Sequence, residues 1–153
     1  MTYEDLQIQY NSLNIIELDL SKIQGLKGLY IDGNIAIDRR LSSNEKVCIL
    51  AEELGHHYTA VGNILDQSNI SNRKQERAGR LWAYDHLIGL SGIIQGYRSR
   101  CQNRYELAEC LGVTEEFLQD ALDYYKEKYG IMAEIDGYTV MFEPALAVIE
   151  KFN

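Results

Sequence analysis

The residues of this chain best placed to do chemistry lie in one short segment, residues 49–57, which ends in two histidines. Glu52 and His56 are four residues apart, so on a helix both side chains lie on one face, with Glu53 offset by about 100°. The pattern matches H-E-x-x-H, in which two histidines bind zinc and the glutamate activates water. Here Glu52 replaces the first histidine. The segment predicts Glu52 and His56 as metal ligands and Glu53 as the general base.

Two further residues favour a metal site over a solvated acidic helix face. Gly55 lies inside the predicted helix, where a glycine costs about 1 kcal/mol relative to alanine. It predicts the close approach of another backbone, such as a neighbouring strand. Glu76 lies on the next predicted helix and can supply a third ligand, and three protein ligands plus water are typical of catalytic zinc.

The other histidines give competing arrangements. Pairing Glu53 with His57 keeps the four-residue spacing, but Leu54 then takes the position of the base and cannot move a proton. His86 fits a surface or cap position better than a ligand position. The first arrangement therefore remains the preferred one.

Composition excludes several classes of protein. The 153 residues carry a net charge of -8, which argues against nucleic acid as the main partner, because nucleic-acid-binding proteins present basic surface. Cys48, Cys101 and Cys110 show no C-x-x-C spacing and cannot all pair, as expected of reduced thiols. The N-terminus is acidic and no apolar run could span a bilayer. We expect a soluble cytoplasmic protein with no membrane partner.

Turn and cap signals predict the elements that position the site. Apolar runs flank Asp32-Gly33-Asn34, and a tight hairpin turn needs residues that tolerate positive φ. Ser42 and Glu45 are spaced as a capping box, which starts the site helix near Ser43. The other expected elements are a helix over 2–11, a strand or connector over 15–20, an end of the site helix at 59–62, a polar loop over 63–72, a helix over 73–90 and breaks at Gly92 and Gly96.

The tail predicts a helix over 105–111, a turn at Gly112, a helix beginning after the N-cap Thr114 and running to about Lys128, and a hairpin around Asp136-Gly137. This is the layout of a winged helix-turn-helix. Residues 97–153 contain six basic and eleven acidic residues, a net of -5. Because a phosphate backbone would repel such a surface, we expect the tail to pack on the rest of the chain or to dock a protein.

Several segments together are far more specific than the short acidic motif. They are Lys27–Gly33 with Ile35–Ile37, Glu45–Lys46, Leu50–Tyr58, Asn72–Glu76, Trp82–Tyr84 and Val113–Leu118. On these segments the chain resembles the ImmA/IrrE family of metallopeptidases, especially the short versions carried by prophages and integrative elements.

The resemblance implies a zinc-dependent endopeptidase that cleaves a partner repressor of the Xre helix-turn-helix type and so derepresses prophage or mobile-element genes. It implies zinc ligation by Glu52, His56 and Glu76, with Glu53 as the base. A substrate strand would add to Leu29, Tyr30 and Ile31. Candidates for contacts to the oxyanion or the substrate are His57, Tyr58 and His86.

These observations lead us to expect an α+β fold. A mostly helical, zincin-like metallopeptidase core with a small β-sheet would occupy residues 1–96. A winged-helix-like subdomain packed on that core would occupy residues 97–153.

Glu52 departs from the histidine of the family pattern. Carboxylate oxygen is an acceptable zinc ligand, but two carboxylates make a harder, more anionic site that accepts Mn²⁺ more readily. We therefore expect a slow or conditional enzyme that uses zinc, or manganese as an alternative. Two other hypotheses remain open: a metal-poor anti-repressor that binds the repressor without cleaving it, and a structural or DNA-binding regulator.

Overall fold

The computed structural model describes residues 1–23, 25–59 and 69–151. In the last of these ranges, side chains are described only from residue 73 onward. Helices and two small sheets make up the described chain, so the predicted α+β class is confirmed. The helices are α1 (Tyr3–Gln9), α2 (Ser43–Thr59), α3 (Asn69–Leu87), α4 (Gly89–Arg98), α5 (Arg104–Leu111) and α6 (Glu115–Tyr129). The strands are β1 (Asn14–Leu18), β2 (Gly28–Ile31), β3 (Asn34–Asp38), β4 (Met132–Ile135), β5 (Tyr138–Met141) and β6 (Ala147–Glu150).

The first sheet has the order β1-β3-β2, with β1 parallel and β2 antiparallel to β3. Asp32 and Gly33 have φ values of 48° and 79°. Both turn residues therefore adopt the positive φ of a type I′ hairpin, and the predicted hairpin is confirmed. Within the described residues, β2 forms an edge of this sheet.

Helix α2 packs against this sheet through β2 and β3. Its apolar face is buried, as are Ile35 and Ile37 of β3. The predicted capping box is confirmed: the Glu45 backbone N–H donates to Ser42 Oγ at 3.2 Å, and the Ser42 N–H donates to Glu45 Oε1 at 3.3 Å. These bonds fix where α2 begins, and with it the register of the candidate site.

The N-terminal elements follow their local signals. Thr2 caps α1 through a reciprocal pair of hydrogen bonds with Asp5, and the run that starts at Ile15 belongs to β1. The predicted polar loop lies outside the described residues up to residue 68. Helix α3 begins at Asn69, earlier than the expected Arg73, and ends at Leu87.

Gly92 and Gly96 do not break the chain as expected; both lie inside α4. Their role is packing rather than termination. A Cβ added at Gly96 would lie 2.2 Å from Leu107 Cδ1 of α5, and one at Gly92 would lie 3.3 Å from Leu111 Cδ2. The two glycines therefore allow α4 and α5 to approach closely, which outweighs their poor helix propensity.

The C-terminal helices and the second hairpin lie where the sequence predicts them. Gly112 ends α5 with φ 72°, and Thr114 Oγ1 accepts the Phe117 N–H at the start of α6. Asp136 and Gly137 form the hairpin turn with φ values of 49° and 81°. The third strand, β6, was not predicted; it pairs with β5 and completes the sheet β4-β5-β6. The winged-helix assignment stays a prediction.

The chain divides into two compact units, Met1–His86 and Leu87–Asn153. The boundary expected between residues 96 and 97 falls inside α4, which belongs wholly to the second unit. None of the described helices has the length and apolar character that a membrane crossing requires.

Replacing Gly96 with alanine tests the packing of α4 on α5. Leu107 is buried and has little room to move, so overpacking should lower the free energy of unfolding by about 1–3 kcal/mol, measured by chemical denaturation. Gly92→Ala is the matched control, because its looser contact should leave stability unchanged or raise it through helix propensity, by about 1 kcal/mol at most. Equal effects at both positions would contradict this account.

Candidate metal and catalytic site

The candidate site depends on a very close crossing of α2 and α3. A Cβ added at Gly55 would lie 2.2 Å from the carbonyl oxygen of Gly79, and one added at Gly79 would lie 2.3 Å from Cδ2 of the His56 ring. The close approach predicted at Gly55 is therefore present. The suggestion of a neighbouring strand was wrong, because the partner backbone belongs to a helix.

His56 of α2 lies against two carboxylates, one from its own helix and one that this crossing brings from α3. His56 Nδ1 lies 3.2 Å from Glu53 Oε2, and Nε2 lies 3.3 Å from Glu76 Oε2. His56 and Glu53 are largely buried, whereas the Glu76 side chain is 56% exposed. The structure thus brings together the predicted base Glu53, the predicted ligand His56 and, from the next helix, the predicted third ligand Glu76.

The two ring nitrogens of His56 have different environments. Nδ1 donates to Glu53, which fixes the ring orientation and leaves Nε2 with the lone pair in the neutral tautomer. Nε2 is buried and lacks a hydrogen-bond partner among the described residues, since its short contact with Glu76 does not have hydrogen-bond geometry. A buried imidazole nitrogen facing a carboxylate oxygen suits a divalent cation, so the residues present fit a metal ion.

The charges around the site explain the direction of two pKa shifts. Burial raises the pKa of Glu52 to about 7, the Arg80 charge opposes this, and the Glu53 carboxylate adds to it. The hydrogen bond to Glu53 raises the pKa of His56, burial opposes it, and the carboxylates of Glu53, Glu76 and Glu52 raise it further. Three acids around one imidazole create a pocket that favours positive charge.

Glu52 is the remaining predicted metal ligand. It interacts electrostatically with Glu76 and His56. Among the described side chains, however, no group of three or more His, Cys, Asp or Glu residues is arranged to hold a metal ion. The ligand set Glu52, His56 and Glu76 stays a prediction.

Strand β2 begins beside the predicted base. A Cβ added at Gly28 would lie 3.1 Å from Glu53 Oε1 and 2.5 Å from Ile49 Cγ2. Only a glycine lets the strand run this close to α2. The residues predicted to receive a substrate strand come directly after Gly28 in β2, next to Glu53. They are Leu29, Tyr30 and Ile31.

The remaining candidate residues form an aromatic series that ends on β2. The Tyr30 hydroxyl and His57 Nδ1 share a 2.7 Å hydrogen bond. Tyr58, 48% exposed, packs edge-on against His57 and stacks on Trp82 with ring centroids 5.6 Å apart. His86 stacks on Trp82 at 3.6 Å and donates from Nδ1 to the Trp82 carbonyl. His57 and Tyr58 are thus connected to the edge strand, and His86 is held by its own helix.

Sequence reasoning assigned no role in the site to three residues that shape it: Gly28, Gly79 and Arg80. Gly79 carried a usable signal, since it is a second glycine in a helix interior, next to the helix that contains Gly55. Gly28 carried a weaker one as the first residue of a strand. Arg80 gave none, because its proximity to Glu52 follows only from the helix crossing.

Comparison with known protein families identifies the family. The IrrE N-terminal-like domain of the Peptidase_M78 family matches residues 6–123. The chain belongs to this family. The predicted resemblance to ImmA/IrrE metallopeptidases is thereby confirmed, and every candidate site residue lies in the matched part. Membership in Peptidase_M78 suggests a metallopeptidase of the ImmA/IrrE type. No significant match was found among curated proteins or among solved structures.

Gly55→Ala tests the helix crossing on which the site depends. Because the new Cβ would overlap backbone rather than a movable side chain, α2 and α3 must separate. The free energy of unfolding should fall by about 1–3 kcal/mol, and metal bound by the refolded protein should fall with it. Denaturation and elemental analysis measure the two effects. Gly92→Ala makes the same chemical change elsewhere and should retain metal; an unaltered Gly55→Ala protein would show that the crossing is not needed.

Proposed function

We propose that this Peptidase_M78 member is a metal-dependent endopeptidase that cleaves an Xre-type helix-turn-helix repressor and derepresses prophage or mobile-element genes. The observation that carries the proposal is the contact of Glu53, His56 and Glu76 beside β2. In this proposal the N-terminal unit is a zincin-like peptidase core. A repressor substrate would place the reaction in the cytoplasm.

The chemistry assigned to the chain is that of a metallopeptidase base and its ligands. Glu52, His56 and Glu76 would hold a zinc ion, or manganese as the alternative, which when bound would polarise the scissile carbonyl and acidify water. Glu53 takes a proton from the attacking water and delivers it to the leaving amine. Its hydrogen bond to His56 Nδ1 keeps the carboxylate beside the ligand.

The edge strand supplies the substrate-binding mode. An extended peptide would pair with β2, where main-chain hydrogen bonds give affinity that does not depend on sequence. Glu53 Oε1 faces the first residue of that strand, so the scissile bond of the added strand would lie beside the base. Tyr30 and His57, joined by their hydrogen bond, are in position to contact the substrate or its oxyanion.

The C-terminal unit is proposed to be a winged-helix-like subdomain that recognises the repressor rather than DNA. Residues 97–153 carry a net charge of -5, which complements the basic surface of a DNA-binding protein. Tyr105, Ile131 and Met132 are exposed apolar residues of this unit and suit a protein contact.

A second candidate is an anti-repressor that binds the repressor and neutralises it without cleavage. Glu52 favours it, because a carboxylate at the first ligand position leaves the metal less able to acidify water than the family's histidine does. Both candidates use the same cleft, so metal content and cleavage must be measured separately.

Metal content tests the ligand set. Full-length protein purified without chelator should contain about one zinc or manganese ion per chain, and Glu52→Ala, His56→Ala and Glu76→Ala should each lose it. His86→Ala is the matched control and should retain it. Elemental analysis gives the stoichiometry. Full metal content in His56→Ala would refute the site, and full content in Glu52→Ala alone would remove that residue from the ligand set.

Glu53→Gln tests the general base. Cleavage of a candidate Xre-type repressor, followed by gel and mass spectrometry, should fall by at least about 100-fold. Metal content and melting temperature should stay near those of the wild type, because the amide is nearly isosteric. Glu109→Gln, an exposed change in α5, should cleave normally.

The outcomes of that assay separate the two candidate functions. Cleavage retained by Glu53→Gln would sink the catalytic assignment. A wild-type protein that binds the repressor, contains no metal and does not cut it would favour the anti-repressor.

A further inference from the structure

Two cysteines of the C-terminal unit lie at opposite ends of α5 in sequence but close in space. Cys101 lies in the connection between α4 and α5, and Cys110 lies in the last turn of α5. Cys101 Sγ is 3.7 Å from the carbonyl oxygen of Glu106. Glu106 and Cys110 are four residues apart, so they occupy the same helix face.

Helix geometry directs the two sulfurs toward each other. The Cα–Cβ bond of a helical residue tilts toward the N-terminus, so the Cys110 side chain leans back over the turn that contains Glu106. Cys101 Sγ lies against that same turn. Both thiol groups therefore lie against the Glu106 turn of α5, near enough to interact electrostatically.

The backbone holds Cys101 in this position. Its N–H donates to the Gly96 carbonyl at 3.0 Å, and the next N–H, that of Gln102, donates to Glu106 Oε2 at 2.7 Å. The connection is therefore tied to α4 on one side and to α5 on the other. These two bonds fix the backbone from which the Cys101 sulfur reaches the Glu106 turn.

The two thiols have different exposure. Cys110 is exposed and Cys101 is half-buried, whereas Cys48, in the other unit, is buried. Burial and the contact with Cys110 raise the pKa of Cys101, so that thiol stays protonated near neutral pH. An oxidant from solution therefore meets Cys110 first and finds a second thiol beside it.

We propose that Cys101 and Cys110 are a reversible oxidation site that closes to an intramolecular disulfide in response to a peroxide. The Cys110 sulfur attacks the peroxide O–O bond and becomes a sulfenic acid, and with hydrogen peroxide one water leaves. The Cys101 sulfur then attacks the Cys110 sulfur, forming the S–S bond and releasing the hydroxyl group as a second water. Two thiols lose two electrons and two protons, and the peroxide is reduced to water. Exchange with a small thiol reverses the reaction.

Cys101 lies on the wall of a groove formed by described residues of the C-terminal unit. The groove has a volume of about 620 Å³, and Cys101, Asn103, Arg104 and Lys126 are among its lining residues. Disulfide formation would replace the free Cys101 thiol on that wall with a sulfur bonded to the Cys110 sulfur of α5. The oxidation state of the chain would thus change the groove and leave the catalytic residues chemically unaltered.

The test treats the full-length protein with hydrogen peroxide, quenches it and counts free thiols under denaturing conditions. The count should fall from the three cysteines of the chain to one, with an intact mass about 2 Da lower for the two lost hydrogens. Peptide mapping without reductant should find Cys101 joined to Cys110, and dithiothreitol should restore the original mass. Cys48→Ser is the matched control and should form the same disulfide.

Two single variants make the mechanism falsifiable. Cys101→Ser leaves Cys110 without its partner, so peroxide should produce sulfinic acid, about 32 Da heavier, that dithiothreitol does not reverse. Cys110→Ser should remain almost unmodified at the same dose, because Cys101 is less exposed than Cys110. Disulfide-linked dimers, or wild-type protein that accumulates sulfinic acid instead of the internal disulfide, would overturn the proposal.

Discussion

The contact of α2 and α3 through Gly55 and Gly79 is the constraint on which the candidate site depends. A side chain at Gly55 would overlap the Gly79 backbone and force the two helices apart, and a side chain at Gly79 would displace the His56 ring. Glu76 would then no longer lie within 3.3 Å of His56 Nε2. The local sequence motif supplies only one helix of the site, and the third predicted ligand arrives through this crossing. The two glycines lower the helix propensity of α2 and α3, but they allow the close approach that places Glu76 beside His56.

Electrostatics gives the same cluster its chemical character. Glu52, Glu53 and Glu76 all act electrostatically on one imidazole, and burial at Glu52 and Glu53 keeps water from fully screening the repulsion between those two carboxylates. Such an arrangement is unfavourable unless positive charge joins it. Protonation of His56 supplies some, and a divalent cation would supply more. The concentrated negative charge would destabilise a cluster that had only a structural role, but it favours the binding of a metal ion.

How far sequence reasoning succeeded depended on how local each signal was. The Asp32-Gly33 and Asp136-Gly137 hairpins and the capping box at Ser42 and Glu45 are set by interactions within four residues, and all were predicted. Gly92 and Gly96 were misread as breaks because their partners lie in α5. The helix partner of Gly55 was missed for the same reason. The pairing of Cys101 with Cys110 also required the fold, since nothing in a nine-residue spacing indicates contact.

Glu52 shows how a departure from the family pattern can be accommodated. Replacing a neutral histidine by a carboxylate adds a negative charge to a half-buried position, and burial opposes that charge by raising the pKa to about 7. Arg80, one residue after Gly79 at the helix crossing, opposes the shift and favours the ionised form. Ionised carboxylate is the form that binds metal. The crossing that brings Glu76 to His56 therefore also brings the Arg80 charge to Glu52, so α3 supplies both the predicted third ligand and the cation that favours the ionised form of Glu52.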